Sequence, residues 1–466
     1  MFASSFRIGL LAGRCLAVVV CAALALPGLA IAADDPVQMT IDLIRRDDLE
    51  NRAIGLDQVR YGVKGDATTR RLAELVPSLA PARQVQLIAA LGERGDAAAL
   101  PAITALLTSS QDVAVRAAAL HALGRLGSAP EVAVLTGSLR AADPEKTAAR
   151  RALVDMRGDA AATAILAASR SGDPALRPQL FEILAERRVV AAIPDLVTAA
   201  TADDPQLRGA AMQALGRLGG PEQVAGMVQG VLKAAAGGER DAAERAIVMV
   251  CTQNRGSKDS ADLFVERFKA AGDADRELLL PALGRIGGPA ALAIVDSLIA
   301  DPDPAKRGFG LKALTRWPDA TVSSRLLTLL GKSQDPAERA LLLGTLIRIA
   351  PLPDNKLNDK QKLELLQKTM QLCDKDEDRK RILERANAIR TIETFRFVAS
   401  YLDDPQLAEP ACKSVVELAH HQKLRDANKV EFVKTLDKVI ATTKNAELVE
   451  RANRYKEGKT WERKKS

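Results

Sequence analysis

The chain has 466 residues, 47% of them hydrophobic and 27% charged, and this composition excludes wholesale disorder. Aromatic residues make up only 3%, so the core must be filled by Ala, Leu, Val and Ile, which suits closely approaching helices better than a β-sandwich. The formal charge is +7, with 25 Lys and Arg against 20 Asp and Glu from residue 351 onward and 39 of each over residues 34–350, a distribution that excludes a nucleic-acid footprint and weakly favours an acidic partner.

The N-terminal residues have the features of an export signal. Arg7 and Arg14 form a positively charged region, and Leu16–Leu26 is an apolar run. The small residues of Ala30-Ile31-Ala32 predict cleavage after Ala32. We therefore expect residues 1–32 to be a signal peptide and the mature protein to be periplasmic or secreted, and not an integral membrane protein. The alternative is an uncleaved membrane anchor, although the apolar run is short for one.

A motif of Asp-Pro-x-x-Arg followed by an Ala- and Leu-rich stretch recurs along the chain. It begins at Asp173, Asp204, Asp303 and Asp335. Leu-Gly pairs that close the amphipathic stretches align further copies at a step of about 31 residues, which two helices and two short turns would fill. No single helix pair can bury its own apolar stripe. The sequence therefore predicts an all-α fold, a right-handed α-α superhelix of about ten to eleven helix pairs that stack on their neighbours.

Each copy carries local signals for the two ends of a helix. An Asp at the N-cap accepts hydrogen bonds from the amides of the first turn, and Pro at the first helical position gives up a donor that would otherwise lack a partner. We expect the closing glycines Gly127, Gly219 and Gly287 to adopt the left-handed conformation that ends a helix.

An Arg follows each of these Asp residues by four positions, where a cation opposes the helix dipole. The pairs are Asp112 and Arg116, Asp173 and Arg177, Asp204 and Arg208, Asp303 and Arg307, and Asp335 and Arg339. We interpret the recurrence as a structural ladder in which each Arg bridges to the N-cap Asp of an adjacent unit. The alternative is a local Asp/Arg pair on a solvated turn.

The repeat loosens after residue 350 and then recovers. Amphipathic patterns predict helices around Leu363–Cys373, Ile382–Tyr401 and Cys412–His421. We assign residues 33–350 to the repeat array and residues 351–466 to divergent Lys-rich helical repeats with a C-terminal cap, because terminal units need a polar outer face.

The units resemble HEAT repeats, in particular the short bacterial HEAT-like repeats of the phycobilin lyase type. The resemblance rests on Asp-Pro-x-x-Arg followed by an Ala-rich helix that ends Ala-Leu-Gly-Arg-Leu-Gly, as in residues 204–219, and it extends from about Thr40 to Ala350. It implies that the second helix of each pair lines a concave groove that binds partners. It leaves the activity open, because solenoids host many functions.

Motifs for catalysis or cofactor binding are sparse. The histidines are His121, His420 and His421, and the sequence contains no His-x-x-x-His or Cys-x-x-Cys pattern for zinc or haem. The HEAT-like di-iron deoxyhypusine hydroxylases rely on His-Glu pairs, whereas His121 precedes Ala122 and His421 precedes Gln422. We therefore predict no cofactor, no metal and no enzymatic activity.

Three cysteines remain once the signal peptide is removed. Cys251, Cys373 and Cys412 are far apart and odd in number, which excludes a disulfide framework. Whether two of them pair in an oxidising compartment stays open at this level.

A column of charged residues repeats at the period of the units, two positions after each aligned Leu. It reads Glu93, Arg125, Asp155, Glu186, Arg217, Arg285, Arg316 and Arg348. An Arg at a helix C-terminus relieves the helix dipole, so a structural role is one interpretation. The other is that Arg217, Arg285, Arg316 and Arg348 form a basic stripe that binds an acidic protein segment.

The sequence thus predicts a non-catalytic, exported HEAT-like scaffold that binds a protein or peptide along its concave face. One alternative is a lyase or chaperone for a prosthetic group, related to the phycobilin lyases. The other is an accessory subunit of a carbohydrate-acting enzyme that is encoded separately.

Overall fold

The computed structural model describes residues 35–253, 260–353 and 356–460, and the predicted signal peptide lies outside them. The described residues contain α-helices, short 3-10 helices and turns, with no strand among them. The fold is therefore all-α, as the composition and the repeat predict. The chain divides at residues 122 and 123 into two compact units, and this boundary falls within one helix.

From residue 35 onward, the first unit contains five complete helices and the beginning of a sixth. These are α1 (Pro36–Arg45), α2 (Leu49–Tyr61), α3 (Asp66–Ala73), α4 (Pro81–Arg94), α5 (Leu100–Ser109) and the first part of α6 (Val113–Leu126). Helix α2 packs on both α1 and α4, and α3 contacts α1, α4 and α5.

The second unit continues the same pattern of short antiparallel helices over the remaining described residues. They are α7 (Val132–Ser138), α8 (Glu145–Asp155), α9 (Asp159–Ser171), α10 (Arg177–Glu186), α11 (Ile193–Ala199), α12 (Pro205–Leu218), α13 (Val224–Lys233), α14 (Gly238–Thr252), α15 (Ser260–Ala270), α16 (Asp273–Ile286), α17 (Pro289–Ile299), α18 (Pro304–Leu314), α19 (Ser323–Lys332), α20 (Pro336–Ile349), α21 (Asp359–Gln371), α22 (Asp376–Ala386), α23 (Ile392–Ala399), α24 (Ala408–Ala419), α25 (Gln422–Ala427), α26 (Lys429–Thr442) and α27 (Ala446–Lys456).

Two layers of helices build the second unit. The even-numbered helices from α8 to α24 form the first layer, and the odd-numbered helices from α7 to α23 form the second. The first-layer helices begin at residues 145, 177, 205, 238, 273, 304, 336, 376 and 408, so the step ranges from 28 to 40 residues. Each helix pair is covered by the pairs before and after it in the sequence, which confirms the predicted α-solenoid.

The recurring Leu-Gly pair marks a close crossing between successive helices. A Cβ on Gly124 of α6 would lie 2.6 Å from the Cα of Ala152 in α8, and a Cβ on Gly284 of α16 would overlap the carbonyl oxygen of Ala313 in α18. The helix axes can approach this closely only because neither partner carries a large side chain. The close approach of successive helices therefore accounts for both the Ala-rich composition and the recurring Leu-Gly pair.

The closing glycines have the predicted positive φ at one position of three. Gly287 has φ 71°, although its ψ of −156° differs from that of the left-handed helical conformation. Gly219 has φ −69° and is extended, and Gly127 is not among the residues with positive φ, so the prediction was wrong for both. These two positions have no room for a side chain. An added Cβ would lie 2.6 Å from the carbonyl oxygen of Leu215 at Gly219, and 2.5 Å from that of Leu123 at Gly127.

The C-terminal part of the chain keeps the helical pattern with one correction. The predicted helices around residues 363–373 and 412–421 correspond to α21 and α24. The single helix expected over residues 382–401 is two helices, because α22 ends at Ala386 and Thr391 caps a new one by accepting a hydrogen bond from the amide of Thr394 at 3.2 Å. The domain boundary at residue 350 and the capping role of the last repeats remain predictions.

Among the described residues, no helix combines the length and the apolar character that crossing a membrane requires.

Candidate functional site

The aspartates of the repeat motif act on their own helices. Asp204, Asp303 and Asp335 each accept a hydrogen bond from the amide two residues further on, at 2.9 Å in all three cases. Asp173 does the same for the 3-10 turn before α10, and Asp112 accepts from the amide of Val115 at 3.0 Å. The predicted N-caps are thus confirmed, and these carboxylates satisfy first-turn amides that lack partners within the helix.

The arginines of the motif reach back to the end of the preceding helix. Arg116 donates to the carbonyl of Ser110 at 3.0 Å, Arg208 to that of Ala202 at 2.8 Å, Arg307 to that of Ile299 at 3.2 Å and Arg339 to that of Ser333 at 3.4 Å. These carbonyls lie at a helix C-terminus, where the dipole is negative and partners within the helix are missing. The cation is therefore unfavourable for its own helix but stabilises the one before it.

The same side chains also connect one unit to the next, although not to the predicted acceptor. Arg208 pairs with Glu239 at 2.7 Å, Arg307 with Glu338 at 2.8 Å and Arg339 with Asp374 at 2.9 Å. Glu239 and Glu338 lie in the first turn of the following first-layer helix, and Asp374 immediately precedes such a helix. The inter-repeat ladder exists at these three steps, but the prediction that a capping Asp accepts the bridge was wrong there, because the acceptors are the carboxylates of Glu239, Glu338 and Asp374.

Arg177 breaks the pattern. Its guanidinium lies 5.7 Å from the centre of the Phe181 ring, and its buried Nε has no hydrogen-bond partner. Asp173 instead accepts a hydrogen bond from Arg140, which follows the end of α7, with Nε donating to Oδ2 at 3.0 Å. The amide of Ala175 and this guanidinium hold the pKa of Asp173 below its usual value.

The predicted basic stripe does not form one continuous line of available cations. Arg217 lies 3.7 Å from Glu186, which also pairs with Arg150, so this end is a network of mixed charge. Arg348 donates to the carbonyls of Thr315 at 3.0 Å and Trp317 at 2.6 Å. Its burial lowers the pKa of the guanidinium, and its contacts make it a structural residue that satisfies the end of α18.

Arg285 and Arg316 are brought together by a residue that the sequence does not single out. Both guanidinium groups contact Oε2 of Glu244, at 3.2 Å and 3.4 Å, although Arg285 lies on α16 and Arg316 lies in the turn that follows α18. The Arg285 contact is an ion pair without hydrogen-bond alignment. Lys312 is exposed on α18, one turn before Arg316, and its ammonium lies 6.0 Å from the Phe309 ring. We call Arg285, Lys312 and Arg316 the cationic cluster.

Glu244 itself is only 3% exposed. Burial raises the pKa of its carboxyl, and the charges of Arg285 and Arg316 oppose that rise. The sequence does contain a signal for this residue, because Glu244 interrupts the apolar stripe of α14 directly after Ala243. Its partners lie on α16 and in the turn after α18, so its role follows only from the packing.

We expect the contribution of Glu244 to stability to fall as pH rises. A raised pKa means that the native state binds the proton more tightly than the unfolded chain does, so stability is lost from the ordinary value of 4.5 up through the native pKa. Relative to Glu244→Gln, the wild-type free energy of unfolding should therefore decrease between pH 4.5 and neutral pH in denaturant titrations. If the free energy of unfolding of the wild type instead increased with pH relative to Glu244→Gln, the two arginines would lower the pKa of Glu244 by more than burial raises it.

A second polar cluster lies at the end of the chain. The Tyr455 hydroxyl is 2.9 Å from Nδ1 of His420, and the Arg425 and Arg451 guanidinium groups lie 5.4 and 5.9 Å from the Tyr455 ring. Arg451 also donates to Glu417 at 2.7 Å. These largely buried contacts fasten α27 to α24.

The three cysteines in the described part of the chain are all buried. Cys373 and Cys412 are buried free thiols, and burial raises the pKa of both to about 11. Cys251 is buried as well, with its Sγ 3.5 Å from the carbonyl oxygen of Ser260. Over residues 35–253, 260–353 and 356–460, no group of three or more His, Cys, Asp or Glu is placed to hold a metal ion.

Comparison with known proteins gives a family match over part of the chain. The family model for HEAT repeats matches residues 69–154 and 161–248. No curated protein matches the sequence significantly. Similar solved structures include Kap95p in a complex with RanGDP, with 12% identity, a TM-score of 0.46 and coverage of 91% of this chain and 65% of that chain. The chain therefore spans slightly less than two thirds of the length of Kap95p.

Two further solved structures are similar at low identity. Importin beta has 10% identity and a TM-score of 0.41, with 91% of this chain and 67% of that chain covered. Human deoxyhypusine hydroxylase has 22% identity and a TM-score of 0.23, with 60% of this chain and 94% of that chain covered. The chain contains HEAT repeats, which the family model identifies over residues 69–154 and 161–248.

Proposed function

We propose that this protein is a non-catalytic HEAT-repeat scaffold that binds an acidic segment of a protein partner on the first layer of its second unit. The observation that carries the proposal is the cationic cluster, in which Arg285 and Arg316 share one buried acid, Glu244, and Lys312 is exposed four residues before Arg316. HEAT solenoids are typically protein-binding scaffolds, because stacked repeats offer an extended surface.

The charges of the cluster support an acidic partner. Arg316 has 39% of its side chain exposed and Lys312 is exposed, so both retain donors for a ligand. Arg381 and Arg385 on α22 are also exposed and carry the positive charge further along the same layer. Guanidinium and ammonium groups form their strongest hydrogen bonds with carboxylates, and complementary charge also raises the association rate.

Reversing two of these charges should abolish the binding of an acidic peptide. In Lys312→Glu/Arg316→Glu, two attractive contacts become repulsive, while Arg285 remains to pair with Glu244. We expect the affinity for a fluorescein-labelled peptide of Glu, Ser and Gly to fall about tenfold or more at low salt. Fluorescence anisotropy of the mature chain measures this.

The matched control reverses the same charges on the second layer. Lys233→Glu/Arg325→Glu changes the net charge by the same amount, and these side chains are 47% and 43% exposed. The control should bind the peptide almost as well as wild type. Equal loss in both variants would mean that net charge and not the cationic cluster attracts the peptide, and binding unchanged in both would contradict the proposed function.

We also propose that the protein is exported and cleaved after Ala32, which rests on the signal features of residues 1–32. Intact-mass measurement on protein from the extracytoplasmic fraction should give a chain that begins at Ala33. Recovery of the chain with its first 32 residues in the cytoplasmic fraction would contradict export.

A further inference from the structure

An open cavity of about 570 Å³ lies between α16 and α18, a size in the range of sites that hold small ligands. Apolar groups form its base, with Phe268 and Leu280 buried and Phe309 and Leu298 half-buried. The charged groups at its rim are largely paired with one another, as Arg276 is with Asp273 and Lys306 with Asp301, each at 3.3 Å. The cavity thus has an apolar interior that the fold leaves uncovered.

The wall of this cavity carries a hydrogen-bond acceptor without its helical donor. Pro281 lies inside α16 and has no amide hydrogen, so the carbonyl of Glu277, four residues earlier, lacks its usual partner. Glu277 lines the cavity, and its side chain is exposed. A ligand that carries an N–H or O–H donor on an apolar body could pack against the apolar base and donate a hydrogen bond to this carbonyl.

The cavity and the cationic cluster adjoin each other on α18. Phe309 lines the cavity, and the ammonium of Lys312, three residues further along the helix, lies 6.0 Å from its ring. Side chains three residues apart are neighbours on a helix surface. Phe309 lies five residues before the end of α18 at Leu314 and Arg316 follows in the next turn, so the two subsites are about 10 Å apart.

We propose that the cavity receives a tryptophan or tyrosine side chain of the acidic segment, and that the cationic cluster binds carboxylates of the same segment about three residues away, since an extended chain rises about 3.3 Å per residue. The ring packs on Phe309 and Leu280, and its polar hydrogen is donated to the carbonyl of Glu277. Lys312 lies between the two subsites and contacts both the ring and a carboxylate. This inference rests on the proposed function and specifies the partner sequence.

The test uses three labelled peptides and the mature chain. The first peptide carries Trp three residues before a pair of Glu, the second has Ala in place of the Trp, and the third has Lys in place of the Glu pair. We expect the first to bind about tenfold more tightly than the second, and the third not to bind. Equal binding of the first two would overturn the aromatic subsite and leave the proposed function intact, whereas no binding of either acidic peptide would contradict the proposed function itself.

Two variants locate the Trp effect in the cavity. Phe309→Ala removes the ring that the ligand contacts, and Ala305→Trp fills the cavity from an exposed position without removing any core atoms. Both should lower the affinity for the Trp peptide to that of the Ala peptide and leave the Ala peptide unchanged. If Ala305→Trp keeps its helical circular dichroism and still prefers the Trp peptide tenfold, the cavity is not the subsite.

Discussion

Replacing Arg208 by Ala should destabilise the second unit by about 3 kcal/mol, because it breaks a buried ion pair. The Arg208 side chain is only 9% exposed, and it contacts Glu239 at 2.7 Å and the carbonyls of Ala202 and Asp203, each at 2.8 Å. The variant leaves the carboxylate of Glu239 with only the amide of Ala235, and it leaves two carbonyls at the end of α11 without this donor. Denaturant titration followed by circular dichroism measures the loss.

A neighbouring arginine supplies the control in the same helix. The Arg217 side chain is 53% exposed and lies 3.7 Å from Glu186, so Arg217→Ala should change the free energy of unfolding by less than about 0.5 kcal/mol. Arg208→Lys should restore only part of the loss, since an ammonium cannot reproduce the planar set of donors. Equal effects of Arg208→Ala and Arg217→Ala would contradict the structural role of the ladder.

Replacing Gly284 by Ala should cost about 3 kcal/mol, at the upper end of what overpacking usually costs. The added Cβ would overlap the carbonyl oxygen of Ala313, and backbone cannot rotate aside as a flexible side chain would. Helices α16 and α18 would have to separate, which also disturbs the contact of Arg285 and Arg316 with Glu244. We expect a lower denaturation midpoint and weaker binding of the acidic peptide.

Gly308→Ala is the matched control on the opposing helix. A Cβ on Gly308 would meet no atom within 4 Å, so this variant should gain about 0.5–1 kcal/mol from the higher helix propensity of Ala. A decrease in the free energy of unfolding for Gly284→Ala and an increase for Gly308→Ala would confirm that the close helix crossing requires Gly284. If Gly284→Ala were also stabilising, the close approach of α16 and α18 would be wrong.

The fold was largely predictable from the sequence because its signals are local. The capping Asp, the Pro after it and the apolar spacing act within a single helix, and all three appear in α12, α18 and α20 as predicted. The step of about 31 residues follows from two such helices and their turns. The break at residues 387–391 was not predicted, although α22 ends at Ala386 and the side chain of Thr391 caps α23.

The candidate site was only partly predictable. Arg285 and Arg316 recur at the period of the repeat, and the sequence therefore places them in one column. Arg217 and Arg348 belong to the same column but have different partners. A column in the sequence shows that side chains share a position in successive units. It does not show which carboxylate or carbonyl lies within reach, because that depends on residues far away in the sequence, as Glu244 is 72 positions from Arg316.

The sequence by itself determined that the chain is helical, where the helices that carry the Asp motif begin, and that the helices repeat in pairs, since these follow from hydrogen bonds and apolar spacing within about four residues. Only the tertiary structure decided the acceptors of the arginine ladder, the meeting of Arg285 and Arg316 at Glu244, and the cavity beside Phe309. These depend on how closely successive helices approach, and that distance is set by contacts between side chains of different repeats.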